Sequence, residues 1–207
     1  MSIEVLYQDH DLIAINKPAD LLSVPGRGPD KQDCAWRRVQ QQFPTARVVH
    51  RLDYATSGIL LFALHLDAQR GLNQAFQQRL TDKHYIAEVS GQLQADEGSV
   101  DLPLRCDWEN RPLQIVDFEQ GKQALTHWRK LNDTAEGSRV RLHPITGRSH
   151  QLRVHMLALG HPIIGDRFYG HERCKAAADR LLLHAEALQL PHPITGKPLQ
   201  LFTASPF

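Results

Sequence analysis

The polar segment HRLDYATSG, residues 50–58, contains the side chains best suited to chemistry, and it directly precedes the apolar run ILLFAL. A polar loop carried by a rigid strand is a common position for reactive groups. Arg51 and Asp53 are two residues apart, so their side chains share a face in extended backbone. A neighbouring guanidinium keeps a carboxylate ionised, and such a carboxylate can act as a nucleophile or a base. Spacing alone also allows a structural ion pair that fixes the loop.

A second polar segment, ITGRSHQLRVH at residues 145–155, opens a helix that is predicted from apolar residues at helical spacing. The N-terminal amides of a helix attract anions, and Arg148 adds positive charge, so a phosphate or carboxylate could bind there. Arg153 lies beside the apolar stripe of this helix. A buried Arg153 guanidinium would need an acidic partner, whereas a solvated arginine on a surface helix is the competing interpretation.

Tyr85 in the segment KHYIAEV is a candidate stacking platform for a flat substrate. Lys83 lies two residues earlier and therefore on the same face of a strand. Ordinary packing of a strand tyrosine is the alternative. We expect no metal site, because His150 and His155 are five residues apart without a glutamate between them, and no cysteine pair has zinc spacing.

The elements that must position these residues are predicted from hydrophobic period, glycine and proline breaks, and capping residues. They indicate one β-rich α/β domain over residues 1–207, built on a mixed, mostly antiparallel sheet with flanking helices and loops. The predicted elements are strands at 4–8 and 11–16, a helix from cap Asp33 to about Phe43, a strand at 59–64, a helix capped by Asp67, several antiparallel strands over 83–143, a helix capped by Ser149, and strands at 181–190 and 198–202.

Composition bounds the class of protein. The 207 residues are 42% hydrophobic and 23% charged, which are globular values that argue against a disordered chain or a coiled coil. The longest apolar run has six residues, far fewer than the roughly 20 of a membrane helix. The first residues do not resemble a signal peptide, and three scattered cysteines fit reduced thiols. We therefore expect a cytoplasmic protein.

The net charge of +1 hides alternating blocks. Residues 1–35 and 91–136 carry −3 and −4, whereas residues 36–90 and 137–207 carry +3 and +5. The two positive blocks contain Arg51, Lys83, Arg148 and Arg153, and 17 of the 24 basic residues are arginine. A nearly neutral chain can thus present an arginine-rich face to RNA, although blocks of this size also occur on ordinary mixed surfaces.

At HRLDYATSG the chain resembles the RluA-type family of RNA pseudouridine synthases, whose hallmark is HRLD, two variable residues and TSG. Tyr54 occupies one of the variable positions. The run DLPLRCDWENRP at 101–112 is especially similar to the small, dual-specificity member that has no appended RNA-binding domain, and we expect no S4 domain here. Four further blocks agree in order, at residues 15–26, 83–89, 145–170 and 181–193.

The resemblance implies a pseudouridine synthase fold with a central, mostly antiparallel sheet. It implies that Asp53 is the catalytic aspartate that attacks the target uridine, after which the base detaches, rotates and rejoins through carbon. Tyr85 would stack on the target base, Arg153 would pair with the aspartate, and Arg51 would help to displace the uridine. Lys83 and Arg148 would add substrate-binding charge.

The implied activity is isomerisation of uridine to pseudouridine in structured RNA, with 23S rRNA and position 32 of the tRNA anticodon stem-loop as the expected substrates. An isomerisation without a redox step or a lost group needs no metal or nucleotide cofactor. We expect a monomer that binds RNA and no membrane. Three alternatives stay open: a non-catalytic RNA-binding protein that keeps the fold, a synthase with a different single RNA target, and a hydrolase with Asp53 as nucleophile.

Overall fold

The structure is a computed structural model that describes residues 3–207, and the chain divides into two compact units. Unit 1 comprises residues 3–83 and 184–206, and unit 2 comprises residues 84–183 with Phe207. The elements in chain order are β1 (Glu4–Gln8), β2 (Leu12–Lys17), α1 (Ala35–Gln40), β3 (Arg47–Val48), β4 (Ser57–Ala63), α2 (Leu66–Gln77), β5 (Asp82–Ser90), β6 (Glu97–Asp101), β7 (Leu104–Cys106), β8 (Gln114–Val116), β9 (Leu125–Asp133), β10 (Gly137–Pro144), α3 (Gln151–Ala158), α4 (Glu172–Ala176), β11 (Leu183–Pro191) and β12 (Pro198–Phe202).

The strands of unit 1 lie in the order β1, β2, β4, β11, with β3 beside β4 and β12 beside β11. These pairs are antiparallel except β4 with β11, which is parallel and sets Ser57 opposite His184. All seven residues of β4 are buried, because its apolar side chains have packing partners on both faces. Leu61 and Ala63 lie in one core cluster with Leu72 of α2. The segment HRLDYATSG therefore leads into a rigid, fully buried strand.

In unit 2 the strands β5, β10, β9 and β6 form antiparallel neighbours in that order, and β7 pairs with β8 separately. Leu142 of β10 lies opposite Tyr85 of β5 on one side and Trp128 of β9 on the other. Helix α3 is buried at every position from Gln151 to Met156. It is thus an interior helix rather than the one-sided surface helix that its apolar spacing suggests.

The prediction of a mixed, mostly antiparallel sheet with flanking helices is confirmed, but the three predicted helix caps, Asp33, Asp67 and Ser149, are wrong. Asp33 does not cap α1, which begins after Cys34; the Asp33 carboxylate instead accepts two hydrogen bonds from Arg38. The side-chain cap of α2 is His65, whose Nδ1 accepts the amide hydrogen of Ala68 at 3.3 Å.

The third predicted cap, Ser149, is also displaced by one residue. The N-cap of α3 is His150, which has φ 52° in the left-handed region and makes no side-chain cap. The Gln151 side chain instead fixes the loop before the helix, because its Oε1 accepts hydrogen bonds from the Arg148 amide at 3.0 Å and from the Thr146 hydroxyl at 2.7 Å. Within residues 3–207, no helix combines the length and the apolar character needed to cross a bilayer.

Candidate active site

Asp53 lies in the irregular segment between β3 and β4, where its side chain is half-buried and that of Arg51 is exposed. The carbonyl of Asp53 accepts the amide hydrogen of Thr56 at 3.2 Å, which closes a turn directly after the carboxylate. Just before it, the Ser23 hydroxyl donates to the Leu52 carbonyl at 2.7 Å and accepts the Leu52 amide hydrogen at 3.0 Å. Both bonds are buried, so the backbone that carries Asp53 is fixed by a segment about thirty residues earlier.

Lys17, at the end of β2, fixes the other side of Asp53. Its side chain is fully buried, and its Nζ donates to the carbonyl of Tyr54 at 3.1 Å. The same ammonium donates to the carbonyls of Pro18 and Leu21, both at 2.8 Å. A buried lysine is costly unless it is hydrogen-bonded, and these bonds attach the Asp53 loop to the end of a core strand.

The residues that follow the loop explain the TSG part of the segment. The Ser57 hydroxyl lies 2.8 Å from Nδ1 of His184 on the neighbouring strand β11. Gly58 has φ 111°, and a Cβ at this position would lie only 2.3 Å from the carbonyl oxygen of Ala185. Glycine is therefore required here, because β4 and β11 approach too closely for any side chain.

His50 holds the start of the segment. Its Nε2 accepts the amide hydrogen of Leu61 at 3.0 Å, and its ring stacks on Phe76 with centroids 4.8 Å apart. Burial, with a smaller effect from the positive charge of Lys83, lowers the pKa of His50 to about 4. The ring is therefore neutral near pH 7, with its proton on Nδ1, and its role is to anchor the loop.

Tyr85 and Lys83 both belong to β5, two residues apart and half-buried, as the alternating strand pattern predicts. Leu142 lies opposite Tyr85, so the tyrosine ring has an apolar neighbour across the strand pair. Burial and the charge of Arg79 lower the pKa of Lys83.

Arg153 of α3 is buried, and it has the acidic partner that burial requires. Its Nε and Nη2 donate to Oδ2 and Oδ1 of Asp166, both at 2.7 Å, in a side-on bidentate pair. The rings of Phe168 and Tyr169 lie 5.2 and 5.0 Å from the guanidinium carbon. The prediction that a buried Arg153 needs an acidic partner is confirmed within unit 2, and the solvated alternative is wrong.

Arg148 lies three residues before α3 and is exposed. Its backbone amide is held by Gln151, and its Nε donates to the carbonyl of Gln123 at 3.1 Å. In unit 2 the structure therefore carries Arg148 and Arg153 on one short segment. In unit 1 it carries Arg51 and Asp53 on one loop.

Unit 1 also contains a cluster of carboxylates and histidines that sequence reasoning missed. His65 Nε2 lies 2.8 Å from Asp11 Oδ1, and His192 Nε2 lies 2.9 Å from Asp9 Oδ2. Nδ1 of each histidine accepts backbone amide hydrogens, so each Nε2 carries a proton and donates it to the carboxylate. A ligand imidazole needs the opposite tautomer, with a lone pair at Nε2. The cluster therefore fits a hydrogen-bond network better than a cation, and the expected absence of a metal stays a prediction.

Sequence reasoning missed two further residues of the candidate site, Lys17 and Asp166. Lys17 ends the apolar strand LIAINK, and a charged residue there is a signal of a buried, functional contact. Asp166 follows a buried apolar stretch and precedes two aromatic residues, a pattern without a specific signal. Both lie inside segments that were noted only for their resemblance to the family.

Comparison with known proteins places these features in one family. The family model for RNA pseudouridylate synthase matches residues 11–158. The chain is 56% identical to the dual-specificity RNA pseudouridine synthase RluA of Yersinia pestis, over 94% of this chain and 95% of that protein. It is 53% identical to the protein of the same name from Escherichia coli strain K12, over 93% of this chain and 88% of that protein.

Two solved structures are similar to the whole chain. Human RNA pseudouridylate synthase domain containing 1 matches with a TM-score of 0.83 and 31% identity, over 99% of this chain and 84% of that one. Human RNA pseudouridylate synthase domain containing 4 matches with a TM-score of 0.77 and 27% identity, over 98% and 88%. The predicted pseudouridine synthase fold is thus confirmed, and the chain belongs to the RNA pseudouridylate synthase family.

Proposed function

We propose that this isomerase is a dual-specificity RNA pseudouridine synthase, which acts on uridines of 23S rRNA and of the tRNA anticodon stem-loop, at position 32. The support for two substrates is the similarity to relatives named dual-specificity RNA pseudouridine synthases, which extends over nearly their whole length. The positive charge that attracts RNA comes from the two basic blocks, residues 36–90 and 137–207.

The proposed catalytic group is the carboxylate of Asp53. The observation that carries this assignment is the fixation of its backbone, by Ser23 on one side and by Lys17 on the other. A carboxylate that is already held in the reactive orientation reacts faster, because the entropy cost of orienting it is met when the protein folds and does not add to the activation barrier. A carboxylate with only a surface ion-pairing role would need no such buried supports.

In the proposed reaction, Asp53 attacks the target uridine and the bond between N1 of the base and the sugar breaks. The base rotates and rejoins the sugar through carbon 5, and the bond between the substrate and the Asp53 carboxylate breaks, which frees the carboxylate for another turnover. The hydrogen of carbon 5 leaves as a proton, and N1 carries a proton in the product. Atoms and electrons balance without an oxidant, a metal or a nucleotide, so we propose that no cofactor takes part.

The remaining residues are proposed to bind the RNA. The target base must leave its stack, which costs a few kcal/mol. The ring of Tyr85 offsets part of this cost by stacking on the displaced base, and Arg51 takes the place that the base leaves. Lys83 and Arg148 supply positive charge for the substrate, and Arg153 supplies hydrogen-bond donors.

Tritium release tests the catalytic proposal. RNA carrying uridine tritiated at carbon 5 is incubated with the wild-type protein, with Asp53→Asn and with Asp67→Asn, which changes an exposed carboxylate of α2. We expect release by the wild type and the Asp67 variant, and a loss of at least about 1,000-fold in Asp53→Asn, as expected when a nucleophile is removed. Equal release by Asp53→Asn would contradict the assignment.

The same assay separates the alternatives. Substrates are an anticodon stem-loop and a hairpin of 23S rRNA, each with the labelled uridine. Release from both supports dual specificity, and release from one alone identifies a single-target synthase. Binding of both without release identifies a non-catalytic RNA-binding protein, whereas free uracil identifies a hydrolase.

We further propose that the protein acts as a monomer in the cytoplasm, since one chain of this size contains every residue assigned above. Sedimentation at micromolar concentration should give the mass of one chain, and a dimer that alone carries activity would contradict the monomer. Unchanged release after dialysis against a chelator is the result expected without a metal.

A further inference from the structure

The buried pair of Arg153 and Asp166 has a geometry more specific than packing requires. The guanidinium is 4% exposed and the carboxylate 0% exposed, and both hydrogen bonds are 2.7 Å long. Removing two charges from water is expensive, and a buried ion pair frequently stabilises a protein less than apolar residues of the same volume would. A gain in stability alone therefore does not explain this pair. Its bidentate geometry calls for a functional explanation.

Asp166 is itself held rigidly. Its Oδ1 accepts the amide hydrogens of Phe168 at 2.9 Å and Tyr169 at 3.1 Å, in addition to the bond from Arg153. The hydroxyl of Tyr169 lies 2.7 Å from Nδ1 of His150 and accepts the amide hydrogen of Gln114 at 2.9 Å. Because the position of the Asp166 carboxylate is fixed by these bonds, the Arg153 guanidinium takes the orientation that the carboxylate sets.

The bidentate contact determines how the guanidinium is oriented. A guanidinium has two edges suited to two-point contacts, and Asp166 occupies the Nε–Nη2 edge. The rings of Phe168 and Tyr169, 5.2 and 5.0 Å from the guanidinium carbon, limit its movement out of plane. The Nη1–Nη2 edge can bind a second acceptor through two hydrogen bonds. Because the other edge is held by Asp166, the Nη1–Nη2 edge is kept in one orientation.

We propose that Asp166 is a positioning residue for Arg153. It presents the Nη1–Nη2 edge in one orientation to the anionic group that Arg153 serves during the reaction. Because Arg153 and Asp166 together are neutral, the pair supplies directed donors rather than net positive charge. The inference rests on the proposed function, since it assigns Asp166 a part in the same reaction.

The test compares Asp166→Asn with a matched control, Asp117→Asn. The asparagine oxygen can still accept the amides of Phe168 and Tyr169, but the bidentate charge pair is lost. Asp117 is also in unit 2, pairs with Arg105 and accepts the amide hydrogens of two following residues, so its replacement breaks a similar pair between residues that have no proposed role in the reaction. The measurements are kcat and KM for tritium release, the Kd for the anticodon stem-loop, and the thermal unfolding curve.

We expect Asp166→Asn to lower kcat by about 100-fold, the scale of a displacement of about 1 Å in a catalytic group, while KM and Kd change less than about threefold. Asp117→Asn should keep the wild-type kcat. Wild-type kcat in Asp166→Asn, or a loss of RNA binding as large as the loss of kcat, would overturn the proposal.

If Asp166→Asn shows no cooperative unfolding transition, and is therefore not properly folded, the Asp166→Glu variant tests the positioning role instead. Glutamate keeps the charge but moves the carboxylate by one methylene, so a folded Asp166→Glu protein should bind RNA normally and lose about tenfold or more in kcat. Full kcat in this variant would contradict a positioning role. If the wild-type protein releases no tritium, the proposed function itself is rejected. If the wild type is active and the Asp166 variants are equally active, only the positioning role is rejected.

Discussion

The neutral state of His50 makes the stability of the fold depend on pH. Nε2 of His50 accepts the Leu61 amide hydrogen. A second proton on the ring would bind at Nε2, break this hydrogen bond and place two N–H donors face to face. The pKa of the folded protein's His50 is about 4, lowered by burial and by Lys83 from an ordinary value of 6.5. The unfolded chain therefore binds a proton on this ring at a higher pH than the folded chain does.

The size of the effect follows from the shift. The two pKa values differ by 2.5, and one pKa unit corresponds to 1.36 kcal/mol, so the whole shift corresponds to about 3 kcal/mol. The unfolded state binds more protons below pH 6.5, so this part of the stability is fully present above that pH. It is lost progressively as the pH falls towards about 4.

The measurement is urea unfolding of the wild type and of His50→Gln at several values between pH 7.5 and 4.5. Glutamine retains an acceptor for the Leu61 amide but does not titrate. The free energy of unfolding of the wild type, minus that of the variant, should fall by about 2 to 3 kcal/mol across this range. Burial also lowers the pKa of His155, but that contribution is common to both proteins and cancels. A difference that stays constant with pH would refute the reasoning.

Three further variants test the supports of the site. Gly58→Ala should destabilise the fold by about 3 kcal/mol or more, measured by urea unfolding, because its Cβ would meet the Ala185 carbonyl and the φ is positive. Lys17→Met should cost about 2 to 4 kcal/mol and lower tritium release at least about tenfold, because the Tyr54 carbonyl loses the ammonium. Tyr85→Phe should bind the anticodon stem-loop within about threefold of the wild type in a filter-binding assay, since the ring rather than the hydroxyl stacks; a loss of about 30-fold would show that the hydroxyl binds.

The strands were predictable because their signals are local. The period of two and the glycine and proline breaks predict β1 and β12 at their exact bounds, and they predict β2 within one residue. The burial of β4 follows from an uninterrupted apolar run. Antiparallel pairing through a short connection accounts for β9 with β10 and for β7 with β8. It does not account for β5 with β10 or β6 with β9, because these strands are not successive in the chain.

The helix starts were less predictable, because a cap depends on the backbone conformation as well as on the residue type. Asp33 is a strong capping residue, but Arg38 lies within reach and binds its carboxylate. His65 is a rare capping residue and caps α2 because its ring nitrogen lies near the Ala68 amide. Residue preferences therefore predict α1, α2 and α3 with the wrong first residues, and they do not predict the short helix α4.

The sequence predicts candidate reactive groups, and it does not predict the residues that hold them in place. Asp53, Tyr85 and Arg153 were singled out by residue type, position on an element and resemblance. Lys17 acts on a backbone carbonyl, and Asp166 acts on an arginine thirteen residues away in sequence. A charged residue at the end of the apolar strand LIAINK signals a buried contact of Lys17, but it does not identify the carbonyl that the ammonium binds. Nothing in the residue types of Asp166 and Arg153 predicts that these two side chains pair.

This division has a physical basis. The residue type gives a carboxylate or a guanidinium its functional group, and this is visible in the sequence. Its contribution to catalysis depends on being held in one orientation, which the residue type does not show. In unit 1 that orientation is set by Ser23 and Lys17, and in unit 2 by Asp166, each through buried bonds. Replacing a support should therefore lower kcat at nearly constant RNA affinity, whereas replacing Arg148, the exposed residue proposed to bind RNA, should raise KM and reduce the salt dependence of binding.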